Sequence, residues 1–411
     1  MRLLILLSTT TLLAACGGAG EQTVSAPPPV GGNGTVNTKH TFAKPTEPKS
    51  YKGIGANHVY EYLTDSRECC DQQAQIYAGT STTARASSIT IAYDPREAVY
   101  TLTVQDSQSG AQTNTRFQDP ASRTDFGGAV EPQWGTPNLD NPNIQYLQAG
   151  DGDPRSPFSK SGTGIVTPGD NDTPADGSVG SSYQATSLFV LKPGTETQYV
   201  TYAGYARNAI SFGQIASPTT GELNDTNTWH IERGAFAFGE VTPNEAVPKT
   251  GTGSYSGSML ASMIFNPTID GQDASGLIDL PSYFQWIDGT ANINVNFATS
   301  SFQLALDGTV HAPQIDRYSD PQTSLIQEGA KFLAAGRGDI NMINFGGFKG
   351  IFDSASLANA GGSSRAVAIE GSAIDGTFYG PGAQEVGGGF RIVGGNPDER
   401  VDILGTFVGK K

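Results

Sequence analysis

The sequence predicts an all-β protein, in which an N-terminal β-rich handle domain precedes a C-terminal eight-stranded antiparallel up-and-down β-barrel. Glycine makes up 52 of 411 residues, roughly twice the usual share of about 7%. Charged residues are only 16% of the chain. Short runs of alternating apolar and polar residues recur with turn residues between them, which is the pattern of half-buried strands.

The first 15 residues read as a lipoprotein signal peptide. Residues 3–13 form an apolar run of about ten residues, which is too short for a membrane-spanning helix of about 20 residues. The run ends in Leu-Ala-Ala-Cys16, which resembles a bacterial lipobox with cleavage before the cysteine. Lipidated Cys16 would anchor the chain stably, since several acyl chains share one residue. Gly17 after the cysteine favours the outer membrane over the inner one.

The strongly acidic composition argues against two classes of partner. The formal net charge is −15 at pH 7. Nucleic acids and anionic membrane surfaces repel such a protein, so we expect no nucleic-acid partner and no membrane contact except through the lipid.

Cys69 and Cys70 are adjacent and leave two interpretations open. In an oxidising compartment two thiols tend to pair, but neighbouring cysteines can do so only through a strained ring with a short Cα separation. The alternative is two free or intermolecular thiols. Neither His nor Cys lies at metal-ligand spacing from the pair, so the sequence predicts no metal site there.

Residues 16–50 read as the lipidated cysteine followed by a flexible tether. They are rich in Gly, Pro, Ser, Thr and Asn, and three consecutive prolines at 27–29 stiffen the middle. A flexible chain of this length spans about 30–35 Å, which would lift a domain off a membrane.

The handle domain is predicted over residues 51–246. Residues 88–93 and 100–104 alternate as strands, and 188–191 with 199–205 read as a hairpin closed at Lys192-Pro-Gly. Residues 106–182 are dominated by polar and small residues and are predicted to form a long excursion.

The barrel domain is predicted over residues 247–411. Its clearest strand contains Ile293, Val295 and Phe297 on one face and asparagines on the other. Eight strands close a barrel that side chains can fill, and closure removes exposed edges. Residues 310–336 are predicted to be a long connection with a short helix. The predicted strands are 254–262, 291–298, 301–307, 339–345 (extending as far as 353), 365–372, 376–379, 388–393 and 400–409.

Two motifs carry a resemblance to a known family. Residues 376–390 contain two short aromatic segments around a Gly-Pro turn, followed by an acid and a triple glycine that lets a strand bend. Residues 251–257 follow the pattern Gly-Thr-x-x-Tyr-x-Gly. Both resemble barrel signatures of the transferrin-binding protein B family of bacterial surface lipoproteins. The matching residues are Tyr255, Gly257, Phe378, Tyr379, Gly380, Pro381, Glu385, Gly387 and Gly388.

The resemblance implies a surface lipoprotein of the outer membrane that faces the cell exterior. Such a protein would capture an iron-bearing ligand, either a host or environmental protein or haem. It would pass this ligand to an outer-membrane transporter, and a surface-lipoprotein translocator would recognise its barrel. The full transferrin receptor has two handle-plus-barrel lobes, whereas this chain has room for one. It therefore resembles the smaller relatives that bind haemoproteins or other ligands.

The residues predict binding rather than catalysis, with no cofactor and no metal. The four histidines, at 40, 58, 230 and 311, are far apart in sequence, so no catalytic triad or zinc site is visible locally. The rival hypothesis is a structural or adhesion lipoprotein without an iron role. A weaker one is a hydrolase whose carboxylates come together only in the fold.

Exposed aromatic rings on loops are the candidate binding residues, because interfaces favour Trp, Tyr and Phe. We expect two in the polar excursion, three in the connection between the first two barrel strands, and one in the later connection. The alternative is that these rings plug the barrel ends or pack under loops. The six are Trp134, Tyr146, Tyr283, Phe284, Trp286 and Tyr318.

Overall fold

The structure is a computed structural model. It describes residues 42–65, 88–105, 112–118, 135–150, 182–217, 219–268, 282–312, 314–315, 325–344, 346–395 and 398–411. These residues form nineteen β-strands and a short 3-10 turn at Asn244–Ala246. Within the described ranges, no helix has the length and apolar character needed to span a membrane.

The handle contains two antiparallel sheets. One has four strands in the order β1-β3-β4-β5 and the other has five in the order β2-β9-β8-β7-β6. The strands are β1 (Lys49–Lys52), β2 (Ile54–Asp65), β3 (Ser88–Asp94), β4 (Val99–Gln105), β5 (Gln112–Gln118), β6 (Ile144–Gly150), β7 (Ser182–Leu191), β8 (Val200–Ala216) and β9 (Leu223–Gly239).

The remaining strands build the barrel. Eight of them follow one another in antiparallel order, and β10 closes the ring because it pairs with both β11 and β19. The short β13 and β16 lie off this ring, paired to β11 and β15. The strands are β10 (Thr252–Asn266), β11 (Tyr283–Asn296), β12 (Ser301–Val310), β13 (Gln314–Ile315), β14 (Lys331–Asn341), β15 (Gly347–Ala358), β16 (Arg365–Ala366), β17 (Ile369–Tyr379), β18 (Glu385–Gly394) and β19 (Arg400–Lys410).

The molecule has three layers, because the five-stranded sheet buries both of its faces. Alternate residues of its strands point to opposite sides, as the pleat requires. Leu188, Tyr205 and Phe236 pack against the four-stranded sheet. Phe189 and Tyr202 instead pack against the outside of the barrel, where they meet barrel residues such as Leu260. A third apolar core fills the barrel interior.

The structure confirms the all-β class and the handle-plus-barrel architecture with eight strands around a closed barrel. Several boundaries were wrong. The strand predicted over 339–345 and beyond covers the hairpin between β14 and β15, and the predicted loop and helix over 310–336 contain the start of β14. The strands predicted at 365–372 and 376–379 correspond mainly to one strand, β17.

Two corrections concern the handle. The long excursion predicted over 106–182 contains β5 and β6. Phe42 is buried in the handle core and β1 begins at Lys49, so the ordered handle starts inside the segment predicted to be tether. The predicted lipidation at Cys16 and the pairing of Cys69 with Cys70 lie outside the described residues.

Candidate binding site

Three of the aromatic residues predicted to line a loop lie instead in strand β11, and all are buried. Tyr283 points into the barrel and stacks on Phe265 with ring centroids 6.3 Å apart. Phe284 points out of the barrel and meets Tyr60 of the handle edge to face at 5.3 Å. The placement in a connection between strands was therefore wrong, and these rings fill the structure.

Trp286 makes a second aromatic contact between the barrel and the five-stranded sheet. Its ring meets Phe189 edge to face at 5.1 Å, and its indole Nε1–H donates to the carbonyl oxygen of Gly135 at 2.8 Å. Because burial of a Trp needs a partner for its N–H, this geometry indicates a structural anchor.

Tyr146 lies in β6 rather than in a loop. Its ring is 5% exposed and stacks on Phe189, and its hydroxyl donates to the carbonyl oxygen of Pro137 at 2.7 Å. Trp134 and Tyr318 fall outside the described residues, so their binding roles stay predictions.

The signature acid, Glu385, joins the barrel to the handle. Its carboxylate accepts backbone N–H bonds from Gln198, Tyr199 and Val200 at 2.6, 2.7 and 3.0 Å. All three donors lie where the β7–β8 hairpin turns into β8. Burial raises the pKa of Glu385 above its usual value, although the three N–H groups oppose the shift. The motif therefore encodes a clamp between the two domains.

The other signature residues shape the barrel. The hydroxyl of Tyr255 donates to the carbonyl oxygen of Ala383 at 2.8 Å, which ties β10 to the β17–β18 turn. Gly257 lies so close to β19 that an added Cβ would sit 2.5 Å from the carbonyl oxygen of Val408. Phe378 fills the interior, and Tyr379 packs on the handle. The remaining members, Gly380, Pro381, Gly387 and Gly388, lie in the turn and in β18.

A pocket of about 210 Å³ opens at the edge of the handle, at the end where the chain enters it. Sequence reasoning missed it, because its walls come from both handle sheets and from the segment before β1. We call it the handle pocket. Its lining residues are Phe42, Ala43, Pro45, Lys49, Tyr51, Tyr93, Tyr100, Gln145, Lys192, Pro193 and Phe238.

Strand register builds the aromatic wall of the handle pocket. Lys49 of β1 lies opposite Tyr93 of β3, which in turn lies opposite Tyr100 of β4. Directly opposed residues share a face of the sheet, so these three form one row. The rings of Tyr93 and Tyr100 have centroids 4.5 Å apart, and Tyr93 is half-buried. The row thus presents ring surface to the pocket.

The floor of the pocket is a cluster of three rings with an ion pair beside it. Phe42 meets Tyr51 edge to face at 5.2 Å and lies 5.8 Å from Phe238. Lys49 Nζ lies 2.6 and 2.7 Å from the two carboxylate oxygens of Glu240, one of which also accepts the Tyr51 hydroxyl. Burial raises the pKa of Tyr51, and the neighbouring Glu240 charge adds to the rise. This phenol therefore stays protonated and neutral at physiological pH.

Among the described residues, no group of three or more His, Cys, Asp or Glu side chains could hold a metal ion. The handle pocket is a ring-lined cavity with polar groups, among them Lys49, Gln145 and Lys192, in its lining. Such surfaces recognise rings and extended apolar groups through packing, with few polar contacts to fix orientation.

The barrel domain matches a known protein family. Residues 247–411 match the family model of the C-lobe and N-lobe beta barrels of Tf-binding protein B. The fold is transferrin-binding protein B-like. The match begins just before β10 and runs to the end of the chain, so it takes in every barrel strand. No curated protein matches the chain significantly.

Solved transferrin-binding protein B structures are among the similar ones. Intact Ap-TbpB, with N and C lobes, shares 12% identity with a TM-score of 0.26, over 89% of this chain and 77% of that one. A mutant of the Haemophilus parasuis Hp5 protein shares 14% identity with a TM-score of 0.24, over 89% and 76% of the two chains. The fold assignment therefore rests on the family match and the strand order.

Proposed function

We propose that the protein is a lipid-anchored binding protein of the outer-membrane surface that captures an iron-bearing protein ligand for uptake. The transferrin-binding protein B-like fold supports this proposal, and so does the lipobox-like sequence ending at Cys16. The resemblance further implies delivery to an outer-membrane transporter and recognition of the barrel by a surface-lipoprotein translocator.

At the handle pocket, the small volume favours a side chain of a protein ligand over haem. Pockets that engulf small-molecule ligands and cofactors commonly measure about 300–1,000 Å³. The handle pocket, at about 210 Å³, holds one ring-sized group. A whole porphyrin exceeds it, whereas a side chain projecting from a protein surface fits. The pocket then acts as a local anchor within a larger contact, as buried aromatic anchors do in other interfaces.

Rigid attachment of the handle suits it to recognition. Glu385 holds the β7–β8 hairpin against the barrel, and Trp286 inserts between the barrel and the five-stranded sheet. A pocket on such a scaffold loses little conformational freedom on binding, which favours affinity.

The test begins with the location and the ligand. Protease treatment of intact cells should remove the protein from the surface, and full protection would contradict surface display. A deletion strain is then grown on defined iron sources, and purified full chain is used to recover ligand from the growth medium. We expect impaired growth on one protein-bound iron source and capture of that protein.

A pocket variant connects the site with the function. Tyr93→Ala should weaken capture of the ligand at least several-fold, because it removes ring surface from the pocket wall. Leu333→Ala is the control, since Leu333 is 48% exposed on the barrel and does not line the pocket. Capture of no ligand, with normal growth on every iron source, would favour the structural or adhesion alternative.

A further inference from the structure

We propose that the handle pocket recognises an aromatic carboxylate, that is, an aromatic ring with a negative group a few bonds away. This inference rests on the handle pocket being the binding site of the proposed function, and it adds the chemistry of the bound group. The ring would lie against Tyr93 and Tyr100, and the carboxylate would pair with Lys192 at the edge.

Shape selects a ring. The pocket is bounded by flat side chains on several sides, namely the tyrosine row, the ring cluster of its floor, and two prolines, Pro45 and Pro193. Aromatic pairs gain energy beyond that of their buried area when rings meet offset or edge to face. Tyr93 and Tyr100 already pack against each other, with ring centroids 4.5 Å apart and planes tilted by 36°. A third ring placed against Tyr93 extends the same packing.

Charge selects an anion. Lys49 and Lys192 are the two cationic residues that line the pocket. Lys49 is neutralised by Glu240, which it contacts through both carboxylate oxygens. Lys192 is exposed at the edge, and no carboxylate of the described residues forms an ion pair with it. The lining therefore carries one uncompensated positive charge.

The same arrangement disfavours a cationic ligand. An ammonium group would seek the Glu240 carboxylate, but Lys49 and the Tyr51 hydroxyl already occupy its oxygens. The Lys49 ammonium also lies 5.2 Å from the centre of the Tyr51 ring, where an incoming cation would otherwise bind. A cation would have to displace both contacts.

Two sources can supply an aromatic carboxylate. One is a small free acid, and the other is an aromatic residue of a protein next to an aspartate or glutamate. The proposed protein ligand favours the second source. Both present the same ring and the same charge to the pocket.

The experiment is a titration of the purified full chain, followed by calorimetry or ligand-observed NMR, with 3-phenylpropionate as the probe. Its primary amide is the matched neutral probe. We expect a dissociation constant on the order of 1 mM for the acid, as the small number of atoms implies. The amide should bind about three- to five-fold more weakly, because an exposed ion pair contributes at most about 1 kcal/mol.

Variants locate the two contacts. Lys192→Gln should abolish the difference between acid and amide while leaving the amide unaffected, and the fold tolerates the change because Lys192 is exposed. Lys349→Gln, on the exposed barrel surface, is the control and should change nothing. Tyr93→Ala should weaken both probes. Equal binding of acid and amide, or an unchanged preference in Lys192→Gln, would overturn the inference.

A second titration distinguishes the sources. An acetylated dipeptide amide of aspartate and phenylalanine should bind at least as tightly as the free acid if the natural ligand is a protein. Preference for the free acid would assign the pocket to a small molecule. Failure of all acidic probes, with Tyr93-dependent capture of a protein ligand intact, would reject this inference and leave the proposed function standing. Probe binding without any captured protein would reject the proposed function instead.

Discussion

The two sides of the barrel are built from the same strand geometry but from different residue patterns. Strands β12, β14 and β15 form a free wall, and β12 alternates strictly between buried and exposed positions. Strands β10, β18 and β19 form a covered wall, on which the handle packs. In β19, residues 401–409 are buried without a break. The difference shows that a barrel strand alternates between buried and exposed residues only where its outer face meets solvent.

The two walls also differ in where their ion pairs lie. The covered wall contains a pair with a buried carboxylate, whereas the free wall has an exposed pair. Asp402 of β19 is fully buried and receives two hydrogen bonds from Arg391 of β18, at 3.1 and 2.7 Å. On the free wall, Lys331 and Asp307 form an ion pair at 2.6 Å. The Lys331 side chain is 58% exposed and the Asp307 side chain is 50% exposed. The same ion-pair chemistry thus occurs in two environments, and the contributions of the two pairs to the free energy of unfolding can be compared directly.

Removal of the cation from each pair should give the largest contrast. Arg391→Met leaves the buried Asp402 carboxylate with Arg400, 4.0 Å away, as its one remaining cation among the described residues, so we expect a loss of about 3–5 kcal/mol in the free energy of unfolding. Lys331→Met should cost less than about 1 kcal/mol. Urea denaturation at pH 7 measures both. Equal losses would show that the handle does not shield Asp402 from solvent.

A matched pair of leucines gives the next contrast. Leu260 of β10 is fully buried between barrel and handle, whereas Leu333 of β14 is 48% exposed on the free wall. Leu260→Ala should cost about 2–4 kcal/mol because it leaves a cavity. Leu333→Ala should change the stability by about 0.5 kcal/mol or less. Similar midpoints of denaturation for the two variants would argue that the handle packs loosely.

The same comparison explains which parts of the fold the sequence could predict. Strands β12 and β11 near Ile293 were visible because they alternate, with solvent on one side. The other end of β11 contains Tyr283, Phe284 and Trp286, which are all buried. Tyr283 packs inside the barrel, whereas Phe284 and Trp286 pack against the handle. With both faces covered the alternation disappears, and the segment resembled a loop rich in aromatic residues.

Two other errors have local causes. Strand β14 places Phe332 inside the barrel and the neighbouring Leu333 outside, and an adjacent apolar pair reads as helix or loop. The handle pocket was invisible because Tyr51, Tyr93 and Tyr100 belong to three strands and meet only through their register. The Glu385 motif, by contrast, was found as a pattern, although only the structure shows what its carboxylate binds.

Acid should weaken the covered wall through His58. This side chain is buried between β2 and β10, donates from Nε2 to the Ser262 carbonyl oxygen at 3.2 Å, and feels the charges of Asp402, Arg391 and Arg233. Burial lowers the pKa of His58 to about 4, while Asp402 opposes the shift. The folded state therefore resists protonation of His58, whereas the unfolded chain takes up the proton near pH 6.5.

The sign of the effect follows from this difference in pKa. The stabilising contribution is complete above pH 6.5 and is lost as the pH falls toward 4, by up to about 3 kcal/mol. His58→Gln, which cannot be protonated, should flatten this part of the curve of unfolding free energy against pH. His311→Gln removes a half-buried barrel histidine that contacts Asp288 at 2.6 Å, and it is the comparison for a histidine outside the covered wall. Identical slopes for the wild type and His58→Gln would contradict this assignment.

The smallest expected effect lies at the clamp that holds the two domains together. Glu385→Gln keeps the shape of the side chain but turns one acceptor oxygen into an N–H₂ donor, which then faces the backbone donors of Gln198, Tyr199 and Val200. Loss of part of this network should cost about 1–2 kcal/mol, since a hydrogen bond to a charged group is worth about 1.5–3 kcal/mol. Because burial already raises the pKa of Glu385, the loss of its charge offsets some of that cost.

The control is Glu245→Gln, an exposed acid in the turn that links handle and barrel. It should leave both stability and domain orientation unchanged. Hydrogen exchange of the Gln198, Tyr199 and Val200 amides reports directly on the clamp. The exchange should become faster in Glu385→Gln but not in Glu245→Gln. Unchanged protection of these three amides would mean that the covered wall holds the handle by apolar packing without help from the acid.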